Sequence, residues 1–325
     1  MINKIKKIII TTGDPAGVGL DLCIKLAYKK FPANITVIGN LNALKNRAKF
    51  YKKKITVKKN LSNHEGNGNL NFVNIPYEKD VVPGEIESKN SITQLSALKF
   101  ATEECLKNNF DALVTLPINK KALSSSDINF TGHTEFISEI CNTLGEEIML
   151  LTNKSLKVAL VTTHLALKMV PKSITKKILT KKLQVLNEQL INKFNIKNPR
   201  ISVTGLNPHA GEDGEFGDEE IKIITPVLKK LKAEGINLIG PIPADTAFTK
   251  KYLDKTDCFL AMYHDQGLSA FKALSFGKGI NVTIGIPIIR TSVDHGTGLD
   301  IVESNKINAS SFFESISLAI KLIKK

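Results

Sequence analysis

Three of the six histidines lie in turn-forming motifs that follow apolar runs: His164 in TTH, His209 in NPH and His264 in YHD. Neutral imidazole suits zinc, cobalt and similar divalent ions, and three protein ligands leave a position open for a substrate. If the runs before them are parallel strands, their exits share one rim and the three rings form a candidate metal set. Taken singly, each also reads as a hydrogen-bonded loop histidine. Asp265 either orients its neighbour His264 or is an exposed turn carboxylate. Arg290, in GIPIIRTSVDHGTGLD, is one of only three arginines, with Arg47 and Arg200. Its planar fork fits a carboxylate or phosphate ligand as well as a structural ion pair. Lys272 and Asn281 lie close by in sequence and could complete an anion and hydroxyl pocket; taken alone, each reads as surface or turn. His133 and Thr134, in GHTEF, stand where a helix begins; free N–H groups there favour anions, and helix capping by Thr134 is the alternative.

Positioning such groups takes a sheet. Short aliphatic or β-branched runs at 5–10, 35–38, 112–115, 157–162, 200–204, 258–262 and 280–284 alternate with amphipathic stretches at 91–107, 174–193 and 218–232. That alternation predicts an α/β chain with a largely parallel sheet covered by helices. The strands end in turn-forming motifs: TTGDPAGVG, TLPINK, TTH, GLNPHAGE and YHDQG. The segment GDPAGVG at 13–19 could let backbone approach an anion at a helix start, or be an ordinary glycine-rich turn; it is not the G-x-G-x-x-G dinucleotide fingerprint. Residues 61–71, with SNHEGNGN inside, predict a loop and an exposed His64.

Length and composition narrow the function. At 325 residues two lobes are expected, and 42% hydrophobic with 23% charged residues describes a folded chain. The net charge of +14 suggests nucleic acid, but nearly all of it is scattered lysine without tryptophan. No nucleic-acid partner is expected. Cys23, Cys105, Cys141 and Cys258 are far apart and read as reduced core residues. With no membrane span and no cleavable leader pattern, a cytoplasmic protein is expected.

Taken in order, GDPAGVG, GHTEF, TTHLAL, GLNPHAGE, PADTAF, YHDQGL and GIPIIRTSVDHGTGLDI resemble the motif set of the 4-hydroxythreonine-4-phosphate dehydrogenase (PdxA) family, from residue 13 to about residue 301. The resemblance implies an isocitrate/isopropylmalate dehydrogenase-like fold of two α/β/α lobes with a cleft between them. It implies a first lobe of residues 1–125 plus 270–325, a second of 126–269 carrying the metal histidines, and a homodimer whose active sites use both subunits. It further implies His164, His209 and His264 as ligands of one divalent metal (Zn, Mg, Co or Mn), and His133, Thr134, Lys272, Asn281 and Arg290 as substrate contacts. Asp245 of PADTAF would lie near the site. The DHGTGLDI segment resembles the wider superfamily's cofactor loop, making His295, Gly296, Thr297 and Asp300 NAD(P) contacts. A carboxylate at Asp300 would repel a 2′-phosphate, so NAD is expected over NADP. Two positions depart from the family pattern, GVGLD for GVGPE and LAL for LPL, and neither removes a ligand or a charge.

The activity so implied is oxidation of 4-phosphooxy-L-threonine to 2-amino-3-oxo-4-phosphooxybutanoate, which decarboxylates to 3-amino-2-oxopropyl phosphate in pyridoxal 5'-phosphate (vitamin B6) biosynthesis. Lys272 would be the general base only if its pKa is lowered. Competing readings are a paralogous metal-dependent dehydrogenase of 4-phospho-threonate or 4-phospho-erythronate, an acyl or phosphoryl transferase on a similar fold, and a non-catalytic metal-binding protein.

Overall fold

The computed structural model describes residues 5–58, 63–123, 130–275 and 279–324. Its strands are β1 (Lys7–Thr11), β2 (Asn34–Gly39), β3 (Thr56–Val57), β4 (Asn69–Asn74), β5 (Ala112–Thr115) and β6 (Ile148–Thr152). They continue with β7 (Lys157–Leu160), β8 (Ile201–Thr204), β9 (Leu238–Ile242), β10 (Cys258–Ala261), β11 (Ile280–Ile284) and β12 (Ile289–Val293). The α/β class expected from the alternating pattern is the class observed. The chain divides into two compact units, Met1–Gly145 with Ile286–Lys325, and Glu146–Gly285. The crossings thus fall near 145 and 285, where the expectation put them near 125 and 270. Packing explains the first of these positions: Ile137 and Cys141 bury against Leu95 and Leu98 of the helix Ser88–Leu106 in the first unit's core.

In the first unit the strands run parallel in the order β3-β4-β2-β1-β5-β12. β1 shows why the centre forms. Its consecutive Ile8, Ile9 and Ile10 are fully buried, which an amphipathic edge strand would not allow. Ile8 and Ile10 pack on one face with Leu20, Leu26 and Phe312, and Ile9 on the other with Leu95, Leu98 and Leu113. Each such side chain contributes about 1.5–3 kcal/mol of burial.

The loop leaving β1 is tightly built. Gly13 has φ +67°, and a Cβ there would lie 2.3 Å from the Pro117 carbonyl oxygen. At Gly19, first residue of the helix Gly19–Ala27, a Cβ would lie 1.8 Å from the Thr12 carbonyl oxygen. Gly19→Ala is therefore expected to destabilise the fold by at least about 2 kcal/mol, seen as a lower urea midpoint at unchanged slope.

In the second unit the order is β11-β6-β7-β10-β8-β9. β6 is antiparallel to both neighbours, while β7, β10, β8 and β9 are mutually parallel. Phe259 and Phe271 are buried at its centre with Val158, Leu160 and Leu268.

His64 corrects the loop reading. It is 1% exposed, its Nε2 lies 2.8 Å from the Leu26 carbonyl oxygen, and burial pushes its pKa down. The ring satisfies a carbonyl at the end of the helix Gly19–Ala27, and residues 69–71 of the same expected loop are strand. All four cysteines are free and buried. Among the described residues no helix is long and apolar enough to cross a membrane.

Candidate active site

Four parallel strands of the second unit end level with one another, because the register aligns Leu160 with Ala261 and Leu260 with Val203, and β9 runs beside β8. Their exits carry His164, His264, His209 and Asp245 respectively. Gln266 joins two of these exits. Its Oε1 accepts from the Met262 amide and the Thr204 hydroxyl, each at 2.7 Å, and its Nε2 donates to the Gly205 carbonyl at 2.8 Å. The Thr162 hydroxyl donates to the Met262 carbonyl at 2.8 Å and ties in the third exit. The His164 and His264 rings stand with centroids 5.6 Å apart. Asp265 Oδ1 lies 2.6 Å from His264 Nδ1, and the Asp265 side chain is 83% exposed. With Nδ1–H donating to that carboxylate, Nε2 keeps its lone pair for a metal.

His209 is held differently. It opens a run, His209 to Asp213, in which every φ is positive, between 38° and 83°. Such backbone costs energy unless the surroundings fix it. Buried Glu220 does so just upstream: its Oε1 accepts from the Leu206 and Asn207 amides at 2.7 and 2.9 Å, and its Oε2 from Asn207 Nδ2 at 2.9 Å. Glu220 lies in no motif of the sequence, and Gln266 lies in YHDQG without a role assigned to it there. Among the described residues of one chain, no group of three or more His, Cys, Asp or Glu side chains is placed to hold a metal.

Lys272 and Asn281 lie away from that rim. The helix His264–Ser275 starts at the β10 exit, and Lys272, exposed in its last turn, is eight residues or about 12 Å further along the axis. Asn281 sits in register with Leu151, and Leu151 with Val158, toward the strands' other end. Its Oδ1 is buried with no hydrogen-bond partner, an acceptor that a bound hydroxyl or ammonium would satisfy.

The first unit assembles a cationic site. Arg290 projects from β12, 3% exposed, and its Nε and Nη2 donate to the Thr115 hydroxyl at 3.1 and 2.7 Å. Burial pushes its pKa down to about 10, so it remains charged at neutral pH. His133 begins the helix His133–Ile140, and Thr134 follows it, partly buried. The His133 ring donates to the Leu116 carbonyl, and its Nε2 is shielded from solvent without a partner. Burial first, then the charge of Arg290, pushes the His133 pKa down to about 3. The linkage follows in sign: between the ordinary value of 6.5 and about 3 the unfolded chain binds a proton that the folded chain refuses, so stability falls as pH drops through that window. His133→Gln is expected to shrink the loss of urea midpoint between pH 7 and pH 5; an unchanged loss would contradict the placement.

The segment after β12 packs on the β1 loop. The Val18 amide donates to the Thr297 carbonyl at 2.9 Å, and a Cβ on Gly17 would meet that oxygen at 2.6 Å. His295, Gly296 and Asp300 are exposed, and nothing lies within 4 Å of where a Gly296 Cβ would be. A ligand can therefore approach this backbone. The glycines of GDPAGVG, by contrast, are mostly filled by the chain's own backbone, as in a structural turn. Arg47 braces that turn, donating to the Pro15 and Gly17 carbonyls and pairing with buried Asp21 and with Glu303. A cavity of about 670 Å³ opens beside it, lined among others by Asn40, Arg47, Tyr77, Lys79 and Glu303. No motif marks it in the sequence.

Comparison with known proteins places these features in context. The family profile described as "Pyridoxal phosphate biosynthetic protein PdxA" matches residues 32–319. A 4-hydroxythreonine-4-phosphate dehydrogenase of Methylococcus capsulatus is 42% identical over 321 residues, 97% of this chain and 96% of that one. One of Colwellia psychrerythraea is 41% identical, covering 98% of each chain. The crystal structure of the Klebsiella pneumoniae 4-hydroxythreonine-4-phosphate dehydrogenase superposes with a TM-score of 0.88 at 32% identity, covering all of both chains.

Proposed function

The chain belongs to the PdxA family of pyridoxal phosphate biosynthetic proteins, and from that premise we propose that it oxidises the secondary alcohol of 4-phosphooxy-L-threonine in a NAD- and divalent-metal-dependent reaction. The product, 2-amino-3-oxo-4-phosphooxybutanoate, is a β-keto acid and loses CO2 to give 3-amino-2-oxopropyl phosphate. The reaction serves pyridoxal 5'-phosphate biosynthesis, and the working form is a cytoplasmic homodimer.

The observation that carries the metal part is the approach of the His164 and His264 rings to 5.6 Å on one rim, with His264 Nδ1 engaged by Asp265. Two imidazoles so placed fit a zinc- or cobalt-type ion, and His209 is the third ligand of the proposed set. A bound divalent cation would supply Lewis acidity at the reacting oxygen, and a bound NAD would supply the hydride acceptor. The chain's own residues bind and orient. Arg290, fixed by Thr115, offers a charged fork to the phosphate or carboxylate. His133, held neutral, offers an acceptor at Nε2, and Thr134 lies beside it. Lys272 adds a cation and Asn281 an acceptor. Asp245 supports the rim. His295, Gly296 and Thr297 would offer backbone to the cofactor, and the Asp300 carboxylate would be an acceptor for ribose hydroxyls.

The test is NADH formation from 4-phosphooxy-L-threonine, 4-phospho-threonate and 4-phospho-erythronate, each with NAD and with NADP. The amino acid with NAD should give the highest kcat/KM. A strong preference for the threonate would overturn the vitamin B6 assignment, and equal use of NADP would remove the argument from Asp300.

A further inference from the structure

The motif TLPINK leaves β5 at Thr115, whose hydroxyl fixes Arg290, and ends five residues later at Lys120, which no part of the proposed reaction uses. The fold returns Lys120 to the same place. Its Nζ lies 3.5 Å from where a Cβ on Gly132 would be, immediately before His133, and Glu135 Oε2 lies 2.6 Å from that point. Gly132 is buried and carries no side chain to separate these groups. After Arg290, Lys120 is the second cation whose field disfavours a proton on His133. Lys120 itself is exposed and within reach of a ligand entering from solvent. The local charge is thus two cations, a neutral imidazole with a shielded, unpartnered Nε2, and one carboxylate whose Oε2 is likewise shielded and unpartnered.

We propose that Lys120 is a further anion-binding residue of the substrate site, placing its ammonium beside the Arg290 guanidinium to take a phosphate or carboxylate group. The inference rests on the phosphorylated-substrate reading but names a residue outside the set that reading supplies. Arg290 gives a fixed planar fork from inside the unit, and Lys120 a point charge on a long stem from its surface. An ammonium on a flexible stem fits the role of capturing a dianion and following it inward. Glu135 offsets part of the positive charge before the ligand arrives, and the net positive charge that remains favours an anion.

The experiment is calorimetric titration of the full chain with inorganic phosphate, beside steady-state kinetics, for the wild type, Lys120→Gln, Lys120→Arg and Arg290→Lys. Lys120→Gln should raise the phosphate Kd and the substrate KM about tenfold, the loss of one charge-assisted hydrogen bond, while kcat changes less than about threefold. Lys120→Arg should keep both constants near wild type, and the salt dependence of KM should flatten only in Lys120→Gln. A phosphate Kd unchanged in Lys120→Gln while Arg290→Lys weakens it would overturn the proposal and leave the functional reading intact. A fall in kcat without any change in phosphate Kd would also overturn it, assigning Lys120 a structural role. Phosphate binding that depends on Lys120 in a chain that forms no NADH would uphold the anion site while removing the dehydrogenase reading.

Discussion

Arg290→Lys is expected to lower kcat/KM by about 100- to 1000-fold, the range seen when a buried charged hydrogen-bonding partner is lost. The charge survives the substitution, so the loss would come from geometry. The guanidinium sends Nε and Nη2 to one hydroxyl, Thr115 Oγ1, and this anchors the plane of the fork. A lysine ammonium has no plane to anchor and would sit in a space 3% open to solvent, where an unmatched cation is unfavourable. The measurement is steady-state NADH formation, with the urea midpoint as control. A midpoint close to wild type with kcat/KM down at least 100-fold supports a binding role; activity retained within threefold would contradict it.

His264→Ala should reduce turnover by about 1000-fold or more, matching the several kcal/mol that a Lewis acid contributes to a developing alkoxide. Chelator treatment of the wild type should do the same, and zinc or cobalt should restore the wild type but not the variant. Asp265→Asn is expected to act one step removed. It leaves the imidazole in place but weakens its orientation, and should lower metal affinity about 10- to 100-fold with turnover recovered at high metal. Wild-type turnover that survives chelation, together with an active His264→Ala, would exclude the metal account.

These expectations depend on how far local sequence could reveal distant partners. The strand exits were legible because each motif ends its own apolar run, and the parallel register that brings those exits level follows from the α/β class. Strands with mixed faces were missed. The first half of β4, NLNFVN, fell inside an expected loop because its asparagines read as turn residues, yet Leu70 packs in the core between flanking strands. β9, LIGPI, holds a proline and, among the described strands, pairs with β8 alone at the sheet's edge, where a missing N–H is tolerated. His64 looked exposed because its neighbours are polar, whereas its ring answers a carbonyl 38 residues earlier.

The same limit applies to the site. Arg290, His133 and the histidine triplet were readable as residue types in motifs. The roles of Gln266 and Glu220 were not, since each acts through backbone amides, carbonyls or hydroxyls of another segment, up to 62 residues away for Gln266 and 14 for Glu220. Lys120 fell in a motif noted only as a strand ending. Its meaning came from the return of the chain to Gly132, which no spacing encodes.

The central claim is that this chain oxidises a phosphorylated hydroxy amino acid to a β-keto acid, which then loses CO2. The most direct measurement follows NADH and CO2 together during turnover of 4-phosphooxy-L-threonine by the metal-loaded protein. Equal molar amounts of NADH and CO2, both abolished by chelation, are predicted. No NADH above the protein-free control, at saturating NAD and metal, would contradict the account.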